Sequence, residues 1–512
     1  MRRGPFKGLL PLGLALLCFE TILLFSGSPV AAKRQQCRLE PHGKQVALQA
    51  PTNTGVGGDV PNATSTATAT NQQSTPAAVK ATGTASSAAS PTPTPFNYET
   101  QKIRGVNIGG WLVLEASSPT NLPTADLNLT STSVQPWITP SVFESTGNTN
   151  IVDEFTLGQL LDPQTAQNIL TNHWETWITE DDFAQIAAAG LNHVRIPIGY
   201  WSIPLNSSST SQSTSTAPYT TGAWPYLLKA LSWAQKYNIN VILDLHGAPG
   251  SQNGYDNSGQ RTSNPVWALN PSNVSRTIDT LKFLAEEVGD QISVLELLNE
   301  GAGFLGSNWA STIRQFFGTA YGTVRSAVGN DLNIMIGDAF LGVDSWTNFL
   351  TGPSGTGVLM DFHEYQIFSD PELDRTDDEH ISFACTYMQS LGSFAASNIW
   401  TVVGEWSTAV TDCAQWLNGR NVGARWDGTY PGSQAHGSCQ GFTGSSSNFS
   451  QDYKTFLRKY WEVQVEVGEN VNGWVYWTWK AENADEWSYQ KGLQGGWIPQ
   501  DPTNRLYPGI CS

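Results

Sequence analysis

The sequence predicts an α/β chain closed as a (β/α)8 barrel, the TIM barrel arrangement, preceded by a signal peptide and a disordered Ser/Thr-rich segment. Three observations lead there. From Phe96 onward, eight short apolar runs of strand character alternate with stretches of helical period, the pattern of parallel strands joined by helical crossovers. Nearly every run ends on an ionisable, polar or aromatic residue, and the C-terminal strand ends of a barrel line one face. The rival doubly wound sheet needs a phosphate-binding glycine fingerprint or a nucleophile elbow, and neither GxGxxG nor GxSxG follows a strand here.

The chain begins outside that pattern. Residues 1–32 carry a basic MRRGPFK, an apolar run and small residues ending SPVAA, the three parts of a cleaved signal peptide. A type II membrane anchor over Leu9 to Phe25 is the competing reading. Glu20 lies inside the apolar run, where a carboxylate is costly in a bilayer and breaks any clean span of about 20 residues. Lys33-Arg34 follows as a candidate processing pair. Residues 33–95 form the second segment, and from Pro51 it is Ser, Thr, Ala and Pro with almost no apolar bulk. It cannot bury a core and is expected to be disordered, as an O-glycosylated stalk or a plain linker. Acceptor sequons for N-glycans stand at Asn62, Asn128, Asn206, Asn273 and Asn448.

Residues 96–512 hold the repeating pattern. IRGVNIGGWLVLE, Ile103 to Glu115, is the first strand and its exit. Thr179 to Asp182 reads as a capping box, with Phe183, Ile186 and Ala187 at helical spacing and Gly190 as a stop. LNHVRIPIGYW is the second strand; a Ser/Thr-rich surface loop, Ser207 to Ala217, follows it. An amphipathic stretch from Tyr226 to Lys236 leads to INVILDLHGAPG, the third, and a helix from Arg276 to Val288 leads to ISVLELLNE, the fourth. The helix Trp309 to Val328 precedes LNIMIGDAF; VLMDFHEYQIF and IWTVVGEWS are the sixth and seventh; a helix from Tyr453 to Val467 precedes VNGWVYWTWK.

Charged residues are 14% of the chain and the net charge is −17. An ordinary soluble protein carries about 25% charged residues. Nucleic acid and anionic membrane both require basic patches, so neither is expected as a partner. Polarity carried by Ser, Thr, Asn and Gly fits a secreted, extracellular or cell-wall glycoprotein, expected to act as a monomer. The 20 Trp and 15 Tyr suit sugar faces as well as cores. Cys18 leaves with the signal peptide and Cys37 lies in the tail. Cys385, Cys413, Cys439 and Cys511 allow two disulfides in any of three connectivities. No metal site is expected, because no CxxC or CxxH spacing occurs.

The strand ends carry Glu115, Arg195, His246, Asn299-Glu300, His363, Tyr365, Glu405 and Trp477. Glu300 ends strand four and Glu405 ends strand seven, on opposite sides of the barrel mouth. Two carboxylates across a cleft are the requirement of glycoside hydrolysis: one protonated to serve the leaving oxygen, one ionised to attack or to activate water. A gap of about 5–5.5 Å gives retention and one of about 6.5–9.5 Å inversion; sequence leaves that choice open. Arg195 is placed to keep Glu405 ionised, Tyr365 to hydrogen-bond it, Asn299 to hold a sugar 2-hydroxyl, His246 and His363 to add polar contacts and Trp477 to form a stacking floor. The bland alternatives are a solvated Glu at a loop, an Arg bridging some buried acid, and structural histidines. Trp477 and Trp479 share strand parity, so one or both belong to the core unless a bulge intervenes. Glu296 shares parity with Glu300 but sits deeper; it is either a buried, paired acid or the sign of a bulge before Asn299.

RGVNIGGWLVLE, HVRIPIGYW, DLHGAPGSQNGYDNSG, LLNE, FHEYQIF, GEWSTA, TDCAQWLNG and GWVYWTWKAEN together resemble glycoside hydrolase family 5, within it the fungal exo-β-1,3-glucanases. The resemblance covers nearly all of Phe96 to Ser512. It implies a retaining mechanism without metal or cofactor, a β-glucan substrate, Glu300 as acid/base and Glu405 as nucleophile. It also implies that Glu115, Arg195, His246, Asn257, Asn299, His363, Tyr365 and Trp477 line a terminal glucose site. Disulfides Cys413–Cys439 and Cys385–Cys511 are implied as well. The family flanks its pocket entrance with two phenylalanines; here Phe368 matches one and Tyr255 replaces the other. The alternatives on the same barrel are a β-1,6- or β-1,4-glucanase, or a non-catalytic wall-binding protein.

Overall fold

Helical crossovers bring each parallel strand beside the one before it, and repeated eight times this closes a barrel in sequence order. In the computed structural model, which describes residues 96–114, 138–205, 215–420 and 422–512, eight strands form a closed barrel, β1 to β8 in chain order. They are β1 (Ile103–Asn107), β2 (His193–Gly199), β3 (Asn240–Gly247), β4 (Val294–Glu296), β5 (Asn333–Gly337), β6 (Val358–Glu364), β7 (Trp400–Trp406) and β8 (Gly473–Tyr476). β8 pairs in parallel with β1 and completes the ring. The expected signal peptide, the Ser/Thr-rich segment, Glu115, Asn62, Asn128 and Asn206 lie outside the described residues. No helix among the described residues is long and apolar enough to cross a membrane.

Alternation along the strands sorts the barrel interior into levels. At the bottom, Ile103, Ile242, Val294, Met335, Leu359, Val402 and Val475 share one buried cluster, with Tyr98 beneath it. β2 contributes His193 near that level, hydrogen-bonded to the Tyr98 hydroxyl at 3.1 Å. Two residues further along three strands the interior turns acidic, at Asp244, Glu296 and Asp361. Two further still stand His246 and His363. Glu296 is thus a buried, paired acid: it is 0% exposed and Arg195 Nε donates to it at 2.7 Å. Beyond it β4 stops, so strand parity no longer governs Asn299 and Glu300.

The helices fall where their apolar period places them, with starts set by caps. Glu180–Ala188 opens on the Thr179/Asp182 capping box and is followed by Gly190 at φ +72°. Pro271–Val288 begins five residues ahead of the expected Arg276, because Asn270 caps Ser272 N and Pro271 takes the first turn, where its missing N–H costs nothing. Trp224–Lys236, Ser307–Val328 and Gln451–Asn470 cover the remaining expected spans. The disulfides are Cys385–Cys511 and Cys413–Cys439, the pairing the family resemblance implies. Asn448 is exposed, while Asn273 is half-buried in the first turn of its helix.

Candidate active site

Arg195 rises from β2 into the centre of the barrel and is completely buried. Its Nη1 donates to Glu405 Oε1 at 2.9 Å and to Asn107 Oδ1 at 3.0 Å. Its Nη2 donates to Glu296 Oε1 at 3.1 Å and to Asn299 Oδ1 at 2.9 Å, with Asp244 Oδ2 also at 3.1 Å. Burial opposes its charge, but Asp244, Glu296 and Glu405 around it more than reverse that and hold the guanidinium ionised.

Glu405 reaches the interior through a break in alternation. The pairing of β6 with β7 slips by one residue, so that Phe362 faces Val403 but His363 faces Glu405. Gly404 takes up the slip, and its carbonyl accepts from Asn107 Nδ2 at 3.0 Å. The second oxygen of Glu405 accepts from the Tyr365 hydroxyl at 3.1 Å.

Glu300 stands opposite, on a residue with φ +44°, its side chain 14% exposed. Asn257 Nδ2 donates to its Oε2 at 2.6 Å, and His363 Nδ1 to its Oε1 at 3.0 Å. His363 also lies 3.5 Å from Glu405 Oε2, and its other ring nitrogen is 2.9 Å from Asp361 Oδ2. One oxygen of each glutamate and a ring nitrogen of His363 lie within 4.8 Å of one another. The two carboxylates thus converge on one point at the barrel mouth, bridged by His363.

Burial disfavours a charged His363, yet Glu405, Asp361 and the bond to Glu300 raise it well above an ordinary histidine. The ring is therefore an imidazolium between two carboxylates. Burial pushes Glu300 up, but the His363 hydrogen bond and charge, the charge on His246 and the Asn257 bond bring it below the usual range. Burial also pushes Glu405 up, and there His363 and Arg195 offset it only in part. Glu300, His363 and Glu405 are also the one grouping among the described residues close enough to share a metal ion.

The remaining expected residues surround this pair. His246 Nδ1 bonds Asp244 at 2.5 Å, its ring stacks on Trp477 with centroids 5.8 Å apart, and Asn299 Nδ2 approaches its Nε2 at 3.4 Å. Trp477 belongs to the cluster with Ile138 and Trp487, while Trp479 is in the main core and donates to Asp182 Oδ1 at 2.9 Å. Both lie past the end of β8, so strand parity does not hold them to one side. Tyr255 and Phe368 are among the exposed large side chains, at 45% and 43%. Burial and the charge on Glu300 raise the Tyr255 phenol, and Phe368 packs edge-on against Tyr365 at 5.7 Å. Sequence reasoning missed Asn107, Asp244 and Asp361. The last two were detectable, since each stands two residues before a strand-end histidine and so faces the same way.

A family model described as cellulase (glycosyl hydrolase family 5) matches residues 162–423. The chain belongs to glycosyl hydrolase family 5. Membership makes it a retaining glycoside hydrolase. A glucan 1,3-beta-glucosidase of Blumeria graminis is 40% identical over 424 residues, covering 81% of this chain and 91% of that protein. Glucan 1,3-beta-glucosidase 2 of Wickerhamomyces anomalus is 40% identical over 429 residues, covering 81% and 92%. Among solved structures, rutinosidase from Aspergillus niger superposes with a TM-score of 0.57 at 19% identity, covering 79% of this chain and all of that one. It shares the family 5 fold.

Proposed function

We propose that this family 5 member is a secreted glucan 1,3-β-glucosidase that releases glucose from the non-reducing ends of β-1,3-glucan, with Glu405 as nucleophile and Glu300 as acid/base. The observation that carries the roles is the asymmetry of the two carboxylates. Glu405 accepts from Arg195 and Tyr365, donors that steady an attacking carboxylate, whereas Glu300 is joined to a proton source, His363 Nδ1. The substrate is supported by relatives about 40% identical over nine-tenths of their length.

In the first step Glu405 attacks the anomeric carbon while the leaving oxygen takes a proton from Glu300. That proton sits one hydrogen bond away, on Nδ1 of His363, in the empty site. Substrate entry displaces water and raises the cost of the His363–Glu300 ion pair, favouring the neutral carboxyl. Once Glu405 is esterified its charge is gone, so Glu300 loses a repulsive neighbour and is fit to act as base toward water. Trp477, Tyr255 and Phe368 supply aromatic faces for the sugar rings, and Glu115 is proposed to bind the terminal glucose with them. The catalytic unit is taken as Phe96 to Ser512, following a signal peptide over 1–32 and the 33–95 segment.

Incubation with laminarin, a β-1,6-glucan and cellulose tests the substrate. Glucose from laminarin should dominate from the earliest time points; soluble oligomers from cellulose would sink the reading. E405Q should lose all measurable hydrolysis, and E300Q should retain glucosylation only by substrates with activated leaving groups. N-terminal sequencing of the mature protein tests secretion, and an intact Met1 counts against it.

A further inference from the structure

Beneath the glutamate pair the barrel holds more charge than two-carboxylate chemistry requires. Asp244 on β3, Glu296 on β4 and Asp361 on β6 are 0–1% exposed, and adjacent strands place Asp244 directly beside Glu296. Arg195 faces all three, while Asp244 and Asp361 are also bonded by His246 and His363. Buried acids cost several kcal/mol unless paired, so the manner of pairing shows what each acid does to the cation.

Glu296 alone grips Arg195 along an edge. Nε donates to Oε2 at 2.7 Å and Nη2 to Oε1 at 3.1 Å. Such a fork fixes the rotation of a planar guanidinium as well as its position. Asp244 touches Nη2 with one oxygen at 3.1 Å, and Asp361 stands 3.8 Å away; neither can set rotation. Nη1 lies outside the fork and meets Glu405 at 2.9 Å, with Asn107 Oδ1 at 3.0 Å beside it. Burial and the charges of Asp244 and Asp361 act against Arg195 and leave Glu296 well above an ordinary carboxylate.

We propose that Glu296 is the positioning residue of this site: its fork on the Nε/Nη2 edge of Arg195 aims Nη1 at Glu405 and so sets how readily that carboxylate ionises. The inference rests on the reading of Glu405 as nucleophile. Glu296 acts through Arg195 and not on the sugar. Through the fork a change on β4 reaches β7 by way of Arg195 on β2.

E296Q keeps the volume but turns an amide N–H₂ toward a guanidinium donor, which breaks the fork. In folded E296Q, checked by thermal melting, kcat should fall about 30- to 100-fold with KM within about threefold, the scale of a misplaced catalytic group. The titration of Glu405, followed by ¹³C NMR of carboxyl-labelled glutamate and assigned by the signal lost in E405Q, should move to higher pH. E296D, which keeps two acceptors one methylene short, should show a smaller move in the same direction and serves if E296Q does not fold. E296Q added to R195K should change kcat by less than about twofold, because the fork is already gone. An unmoved Glu405 titration in either variant overturns the proposal. So does a move to lower pH, which would make Glu296 only a repulsive neighbour, and so does full multiplication of the E296Q and R195K effects. The titration needs no turnover. Absence of glucose release from laminarin would therefore strike the substrate reading and leave the Glu296 test intact.

Discussion

Val402 packs in the barrel's basal cluster, so strict alternation would turn Gly404 inward and Glu405 out toward the helices. The one-residue slip between β6 and β7 reverses this. Gly404 is the residue that permits it, since a Cβ there would lie 1.8 Å from Asp361 Oδ1. G404A should therefore lose more than about 2 kcal/mol of stability by overpacking together with most activity, read by denaturant melts and kcat on an aryl β-glucoside. A folded, active G404A would show that the slip does not depend on the missing side chain. The protonation states set a second expectation. Glu405 must be ionised, and burial raises it, so activity should fall on the acid side at a pH above the ordinary carboxylate range. The proton between His363 and Glu300 must be present, so activity should also fall on the alkaline side, above the ordinary histidine range. A flat profile of kcat/KM from pH 4 to 8 would contradict the assignment. The two glutamates were legible in the sequence because each ends an apolar run. How Glu405 comes to face inward was not, because a bulge leaves no mark on composition beyond a glycine.

At the scale of elements, the barrel and its helices were readable from period alone, and differences arise where caps or site geometry override period. The helix expected from Arg276 starts at Pro271 because a cap extends it. The nine-residue run ISVLELLNE contributes only Val294–Glu296 as ladder, because its last residues bend inward to serve the site. Asp182 shows how an element's end can hold two layers together. It closes the capping box on Thr179 N at 2.8 Å, accepts from Trp479 Nε1 at 2.9 Å, and pairs with Lys480 at 3.0 Å. One side chain thus ties the helix Glu180–Ala188 to the chain leaving β8. D182A leaves a buried indole N–H and a half-buried ammonium without their acceptor, and should cost about 2–4 kcal/mol, measured by urea unfolding. D182A is expected to lower kcat less than it lowers stability, since Trp477, three residues before Lys480, is held separately by its stack on His246.

The whole molecule carries an excess of buried acids, and that sets how its stability follows pH. Burial is the largest cause in each case: it pushes Glu154 and Glu486 up to about 8, Glu364 to about 7, and Asp153 and Asp338 to about 6. Unfolded, these groups lose their protons near pH 4. Between that pH and their folded values the native state binds more protons, so stability must fall as pH rises. His363, raised well above its ordinary value, adds to the fall once pH exceeds about 6.5. Buried histidines oppose it lower down. Burial depresses His173 and His380 to about 4 and His193 to about 3. The unfolded chain therefore binds more protons at these three sites up to about pH 6.5, and their contribution rises with pH only to that point. Above it the acids act unopposed, and a net charge of −17 adds self-repulsion. The melting temperature should change little between pH 5 and 6.5 and drop by several degrees between pH 6.5 and 8. E486Q removes one ionisation from a side chain 1% exposed and should reduce the fall at every pH from about 5 to 8, so that the melting temperature climbs slightly up to pH 6.5 and drops less above it. A melting temperature that holds or climbs from pH 6.5 to 8 would mean that these carboxyls reach their charged forms at little cost, against the burial seen for them.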